Sequence, residues 1–147
     1  YLPEGATNIN LRDLDIDVTK DGKVMVLTGA NSAEDADTYK LTLTSFNPAT
    51  QTWALVGSPL NVDLGSVRYM DLALSPYDVP FVAYKDATGY ASVVEFDTEA
   101  MQWGEAVVLE AKTIDDIYLD FAPNGVGYVA TDADGRIQLY TFDKPSN

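Results

Sequence analysis

The sequence contains no cysteine and no histidine. Without cysteine there is no disulfide and no thiolate chemistry, and without either residue the usual Cys/His zinc sites are excluded. The missing imidazole also removes the Ser-His-Asp triad and the side chain whose ordinary pKa lies nearest neutrality. Basic residues are scarce: 9 Lys and Arg stand against 23 Asp and Glu, for a net charge of -14. Such a surface repels phosphate backbones and anionic lipid heads, so nucleic acid and membrane surfaces are poor partners. Cations, basic proteins and neutral sugars remain open, and acidity of this size also serves plain solubility. No apolar run approaches the length of a membrane helix. Tyr1-Leu-Pro-Glu4 lacks the pattern of a signal peptide, and no strand–GxxxxGK–helix phosphate loop is present.

What is there is globular. A hydrophobic fraction of 46% with 22% charged residues argues against disorder. A chain of this length buries about 68–70% of its unfolded surface, enough for a packed core.

Most of the information lies in a repeat. Phe46-Asn-Pro-Ala-Thr-Gln-Thr-Trp53 and Phe96-Asp-Thr-Glu-Ala-Met-Gln-Trp103 share an aromatic, a turn-forming Asn or Asp, and a Trp at the same spacing. Phe142-Asp143 begins a third copy. Upstream of each Phe, one strand alternates with period two. Leu14, Ile16 and Val18 alternate with Asp13, Asp15 and Asp17; Met70, Leu72 and Leu74 flank Asp71; Ile117, Leu119 and Phe121 flank Asp120. Each is followed by turn residues: Lys20-Asp-Gly22, Pro76-Tyr-Asp78 and Pro123-Asn-Gly125. A second strand, a hairpin and a third strand come next in each copy. The hairpin is short at Asp86–Gly89 and Asp132–Gly135, but long and acidic at Gly29–Asp37. No segment sustains a capped helical period. The reading is an all-β chain of three four-stranded antiparallel propeller-type blades, over about 9–65, 66–115 and 116–147 plus 1–8.

Val24-Met-Val-Leu-Thr-Gly29, Tyr39 and the Phe46–Trp53 turn resemble a kelch-type blade. The second copy keeps the aromatic-Asp and Trp, the third only the aromatic-Asp, and the Gly pair of that family is missing throughout. The resemblance implies a propeller fold. It implies no particular activity, because one fold hosts many functions.

Four inner-strand carboxylates, Asp15, Asp17, Asp71 and Asp120, are expected to line the central channel. There they either converge on a hard cation such as Ca²⁺, which takes several oxygens, or cap turns in a wet channel. Asp132-Ala-Asp134-Gly135 opens like a calcium loop but reads as a hairpin turn. Trp53 and Trp103, at matched positions, either pack between blades or form a sugar-stacking platform. Asp35 and Asp37, on the long hairpin, are candidates for a binding rim.

These features predict a non-enzymatic recognition module that presents loop edges to a protein or a glycan, at an extracellular, cell-surface or periplasmic site. The alternatives are a glycan-active enzyme fragment using paired carboxylates such as Asp15 and Asp71, and a structural domain of a larger surface protein. Three blades are too few for a ring, so two copies are expected to close one of six. In such a homodimer Tyr1–Ala6 supplies the outer strand of blade three. A fragment of a longer propeller and an open stack are its rivals.

Overall fold

The period-two segments and their turn residues form strands and hairpins. The computed structural model describes residues 10–31, 39–62 and 69–143. The first sheet contains β1 (Asn10–Val18), β2 (Val24–Asn31), β3 (Tyr39–Asn47), β4 (Thr52–Leu55) and β5 (Leu60–Val62). The second contains β6 (Met70–Leu74), β7 (Pro80–Lys85), β8 (Tyr90–Asp97), β9 (Gln102–Trp103) and β10 (Val107–Thr113). The third contains β11 (Asp116–Phe121), β12 (Val126–Ala133) and β13 (Arg136–Asp143). Every pairing is antiparallel and runs from inner to outer strand in chain order. The inner strands β1, β6 and β11 lie side by side, so the three sheets are propeller blades. Among the described residues no helix is long and apolar enough to cross a membrane.

The expected fourth strand is split. β4 and β5 both pair with β3, and β9 and β10 both pair with β8. In blade one the outer strand leaves the ladder after Val56, whose N–H still reaches the Leu43 carbonyl at 2.9 Å. Gly57 then turns at φ 65, and a Cβ there would meet the Phe96 ring of blade two at 2.5 Å. The break therefore lets the outer strand of blade one press onto its neighbour. Blade three has three strands among the described residues, and the segment expected to complete it, residues 1–8, lies outside them.

The repeated turns behave alike. Gly22, Asp78 and Gly125 occupy the same left-handed position after the inner strand, at φ 83, 58 and 91. Asn47 Oδ1 accepts the Ala49 N–H at 3.0 Å, and Asp97 Oδ1 accepts the Glu99 N–H at 2.9 Å, so the shared Asn/Asp is a side-chain mimic of a turn. The Asp134-Gly135 pair, both at positive φ, closes the β12–β13 hairpin.

The core is two inter-blade layers. Leu27, Leu41 and Leu43 of blade one meet Leu72, Val82 and Val94 of blade two. Phe81, Ala83 and Val93 on the other side of blade two meet Ile117, Leu119 and Val129 of blade three. Phe81, Phe121 and Phe142 form an aromatic trio at centroid distances of 4.9–5.6 Å. Each such side chain contributes about 1.5–3 kcal/mol on full burial. Blade two is covered on both faces, which is why Pro80–Lys85 is apolar without alternation. Among the described residues, blades one and three are each covered on one face only. Their strands keep alternating, and Leu14, Ile16 and Val18 on one, and Tyr118, Ile137 and Leu139 on the other, stand exposed.

Candidate functional site

The inner-strand carboxylates are placed by alternation on the face that looks toward the following blade. Asp15 Oδ1 accepts the N–H of Ile16 at 2.7 Å, and its Oδ2 accepts the N–H of Leu72 in blade two at 2.6 Å. Asp17 repeats this two residues on, taking Val18 N–H and Leu74 N–H, both at 2.7 Å. Asp71 passes the pattern forward, accepting the N–H of Leu119 in blade three at 2.5 Å. Each is a clip in which a carboxylate satisfies an inner-edge N–H that has no ladder partner, and such charge-assisted bonds are stronger than neutral ones. Asp120 takes the N–H of Phe121 at 2.7 Å.

These side chains are engaged by main-chain N–H groups. Among the described residues no three acidic groups gather where a metal ion would be held. Ca²⁺ takes several oxygens at once, and in this structure Asp15, Asp17 and Asp71 each also accept an N–H of the next blade. The carboxylates do influence one another. Burial pushes Asp71 up to about 7, against the Leu119 N–H bond, and the adjoining Asp15, hydrogen-bonded to it, adds to the rise, as does the charge of Asp120. Burial and the neighbouring carboxylates thus favour the protonated form of Asp71.

The two tryptophans diverge. Trp103 packs edge-on against Phe96 at 5.2 Å and lies against the core layer between blades one and two. Its Nε1 is buried without a hydrogen-bond partner among the described residues. Trp53 meets Phe46 at 4.9 Å with the rings tilted by 42°, and is 44% exposed. Asp35 and Asp37 lie outside the described residues.

A groove not expected from the sequence opens at the hairpin end of blade two. It has a volume of about 450 Å³ and is lined by Val79, Glu95, Asp97, Glu99, Gly104 and Glu105, with Thr98 beside them. The β6–β7 and β8–β9 hairpins bring these residues together because both turns fall at the same end of the blade. The spacing of Glu95, Asp97 and Glu99 was a visible signal, but it reads equally as a solvated strand end. A polar groove of this size accepts the hydroxyls of a small neutral ligand. A second polar knot, at Asp86, is structural. Burial pushes Asp86 up, but hydrogen bonds from Thr88, Tyr90 and Ser92 outweigh it and hold the carboxyl below its usual range.

No family model matches the chain, so the kelch resemblance rests on the residues that carry it. No curated protein matches it either. Solved structures do. A GH43 endo-arabinanase from Bacillus licheniformis is similar over 87% of this chain and 49% of its own, with a TM-score of 0.55 and 13% identity. A fucose lectin from Kordia zhangzhouensis, solved in complex with methyl-fucoside, is similar over 90% of this chain and 94% of its own, with a TM-score of 0.56 and 10% identity. Native arabinanase from Bacillus subtilis is similar over 86% and 47%, with a TM-score of 0.52 and 18% identity. The chain spans about half the length of the two arabinanases and nearly all of the lectin. At these identities the likeness is one of fold, and that fold is the β-propeller.

Proposed function

We propose that the chain is a non-enzymatic recognition module that binds a glycan through its propeller loop edges, working as a homodimer at an extracellular, cell-surface or periplasmic site. The observation that carries the reading is the groove at the hairpin end of blade two, open and lined by Glu95, Asp97, Glu99 and Glu105. Carboxylate oxygens accept hydrogen bonds from the adjacent hydroxyls of a sugar ring, and a groove of about 450 Å³ admits one or two rings. The structural neighbours act on or bind carbohydrates according to their names, an arabinanase and a fucose lectin, which favours a glycan over a protein ligand.

The rival reading is a glycan-active enzyme using Asp15 and Asp71, and the raised Asp71 is what favours it. Against it, Asp15 and Asp71 are each already engaged by a main-chain N–H of the next blade.

The test is a glycan array followed by titration, with a reducing-end assay on the retained glycans and on arabinan. The expected result is binding without release of reducing ends, weakened about tenfold by Glu99→Ala with Glu105→Ala. An array that retains no glycan, or release of reducing ends, overturns the reading.

A further inference from the structure

Two faces that no described residue covers include positions that are buried where a neighbouring blade lies on them. Ile16 and Val18 correspond in register to Leu72 and Leu74 of blade two, where blade one covers them. The contrast is large: Ile16 is 59% exposed and Leu72 only 5%. Trp53 and Leu55 extend the same face across the outer strand. At the other end, Tyr118, Tyr128, Ile137 and Leu139 stand on the face of blade three that corresponds to the gripping faces of blades one and two, and Ile137 is 84% exposed.

The polar pattern repeats the apolar one. Asp15 and Asp17 each use one oxygen for their own strand and the other for the next blade. Asp120, at the register position of Asp17, has the first bond and, among the described residues, lacks the second. The face of blade one offers no acidic side chain at Leu14, Ile16, Val18, Trp53 or Leu55, while that of blade three carries Asp116 and Asp120. The acidic face therefore fits the neutral one and repels a second acidic face.

We propose that the blade-three face of one copy docks on the blade-one face of a second, and the reverse, giving a six-bladed ring about a twofold axis. This names the surface of the homodimer in the reading above, resting on that part of it and not on the glycan. Two copies satisfy all four open faces within the usual four to eight blades, whereas three copies make nine. A head-to-tail contact that closes leaves no edge for further growth.

Light scattering with sedimentation equilibrium on the unmodified chain tests the proposal. The expected mass is twice 16.0 kDa, with tighter association in higher salt as the repulsion between two copies of charge -14 is screened. Ile137→Arg and Ile16→Glu, at exposed positions, are each expected to give monomers with unchanged far-ultraviolet circular dichroism. A monomer at high micromolar concentration overturns the proposal and leaves these faces to a further blade of a longer chain. A dimer that survives both substitutions overturns it too, as does growth beyond two copies. The mass is independent of any sugar, so this failure is distinguishable from failure of glycan binding.

Discussion

Trp53 and Trp103 stand in the same place in two blades. Each follows the same aromatic-Asn/Asp turn, and each pairs across the ladder with its Phe, Phe46 or Phe96. One is 44% exposed, and the other packs on a core layer. The difference lies in what covers them. Blade one presses on the face that holds Trp103, through Gly57 and Val56, and no described residue covers the face that holds Trp53. A repeat thus fixes the character of a surface, and the neighbouring blade decides whether that surface becomes core.

The comparison is sharpest in truncation. Trp103→Ala is expected to cost about 3–5 kcal/mol in urea unfolding, the usual loss for a core aromatic. Trp53→Ala in dilute solution should cost about 1 kcal/mol or less, since exposed substitutions are small. Equal losses would erase the distinction. The carboxylates give the same contrast more weakly. Asp15→Ala strands the N–H of buried Leu72, for about 1–3 kcal/mol, whereas Asp120→Ala should fall within about 0.5 kcal/mol in the monomer.

Asp71 gives a pH-dependent version. Burial raises its folded pKa to about 7 from an ordinary 3.8, so the folded state holds the proton more tightly than the unfolded chain. Stability is therefore highest below about pH 4 as far as this group is concerned, and falls as pH rises through 7. Asp71→Asn keeps an acceptor for the Leu119 N–H and removes the charge. It is expected to stabilise the protein by about 1–2 kcal/mol at pH 8, after discounting for the half-buried position, and to change nothing at pH 4. A pH-independent effect would show that its surroundings do not hold Asp71 protonated.

The blades were legible because alternation, turn residues and the Phe-to-Trp spacing are local signals. Pro80–Tyr84 was legible as a strand but not as the doubly covered centre of the molecule, because an unbroken apolar run states burial without naming its neighbours. The split outer strand was hidden for a related reason. Gly57 has its left-handed turn because Phe96, far along the chain, fills the space a side chain would take. The alternating aspartates were visible, but their role was not. A carboxylate on a channel-facing strand suits a cation as well as a main-chain N–H, and only the stagger of adjacent blades chooses the latter. The groove of Glu95, Asp97, Glu99 and Glu105 joins two hairpins and has no continuous sequence signal.

The account turns on whether the face around Trp53 is an inter-blade surface. Trp103→Phe should fold, because the indole N–H it removes is buried without a partner, and it leaves Trp53 as the single emitter of the two tryptophans. Acrylamide quenching of that variant across a dilution series reads the face directly. The account predicts a protected, blue-shifted Trp53 at high micromolar concentration that becomes fully quenchable on dilution, in step with the fall in mass. A Trp53 equally quenchable at every concentration would contradict it.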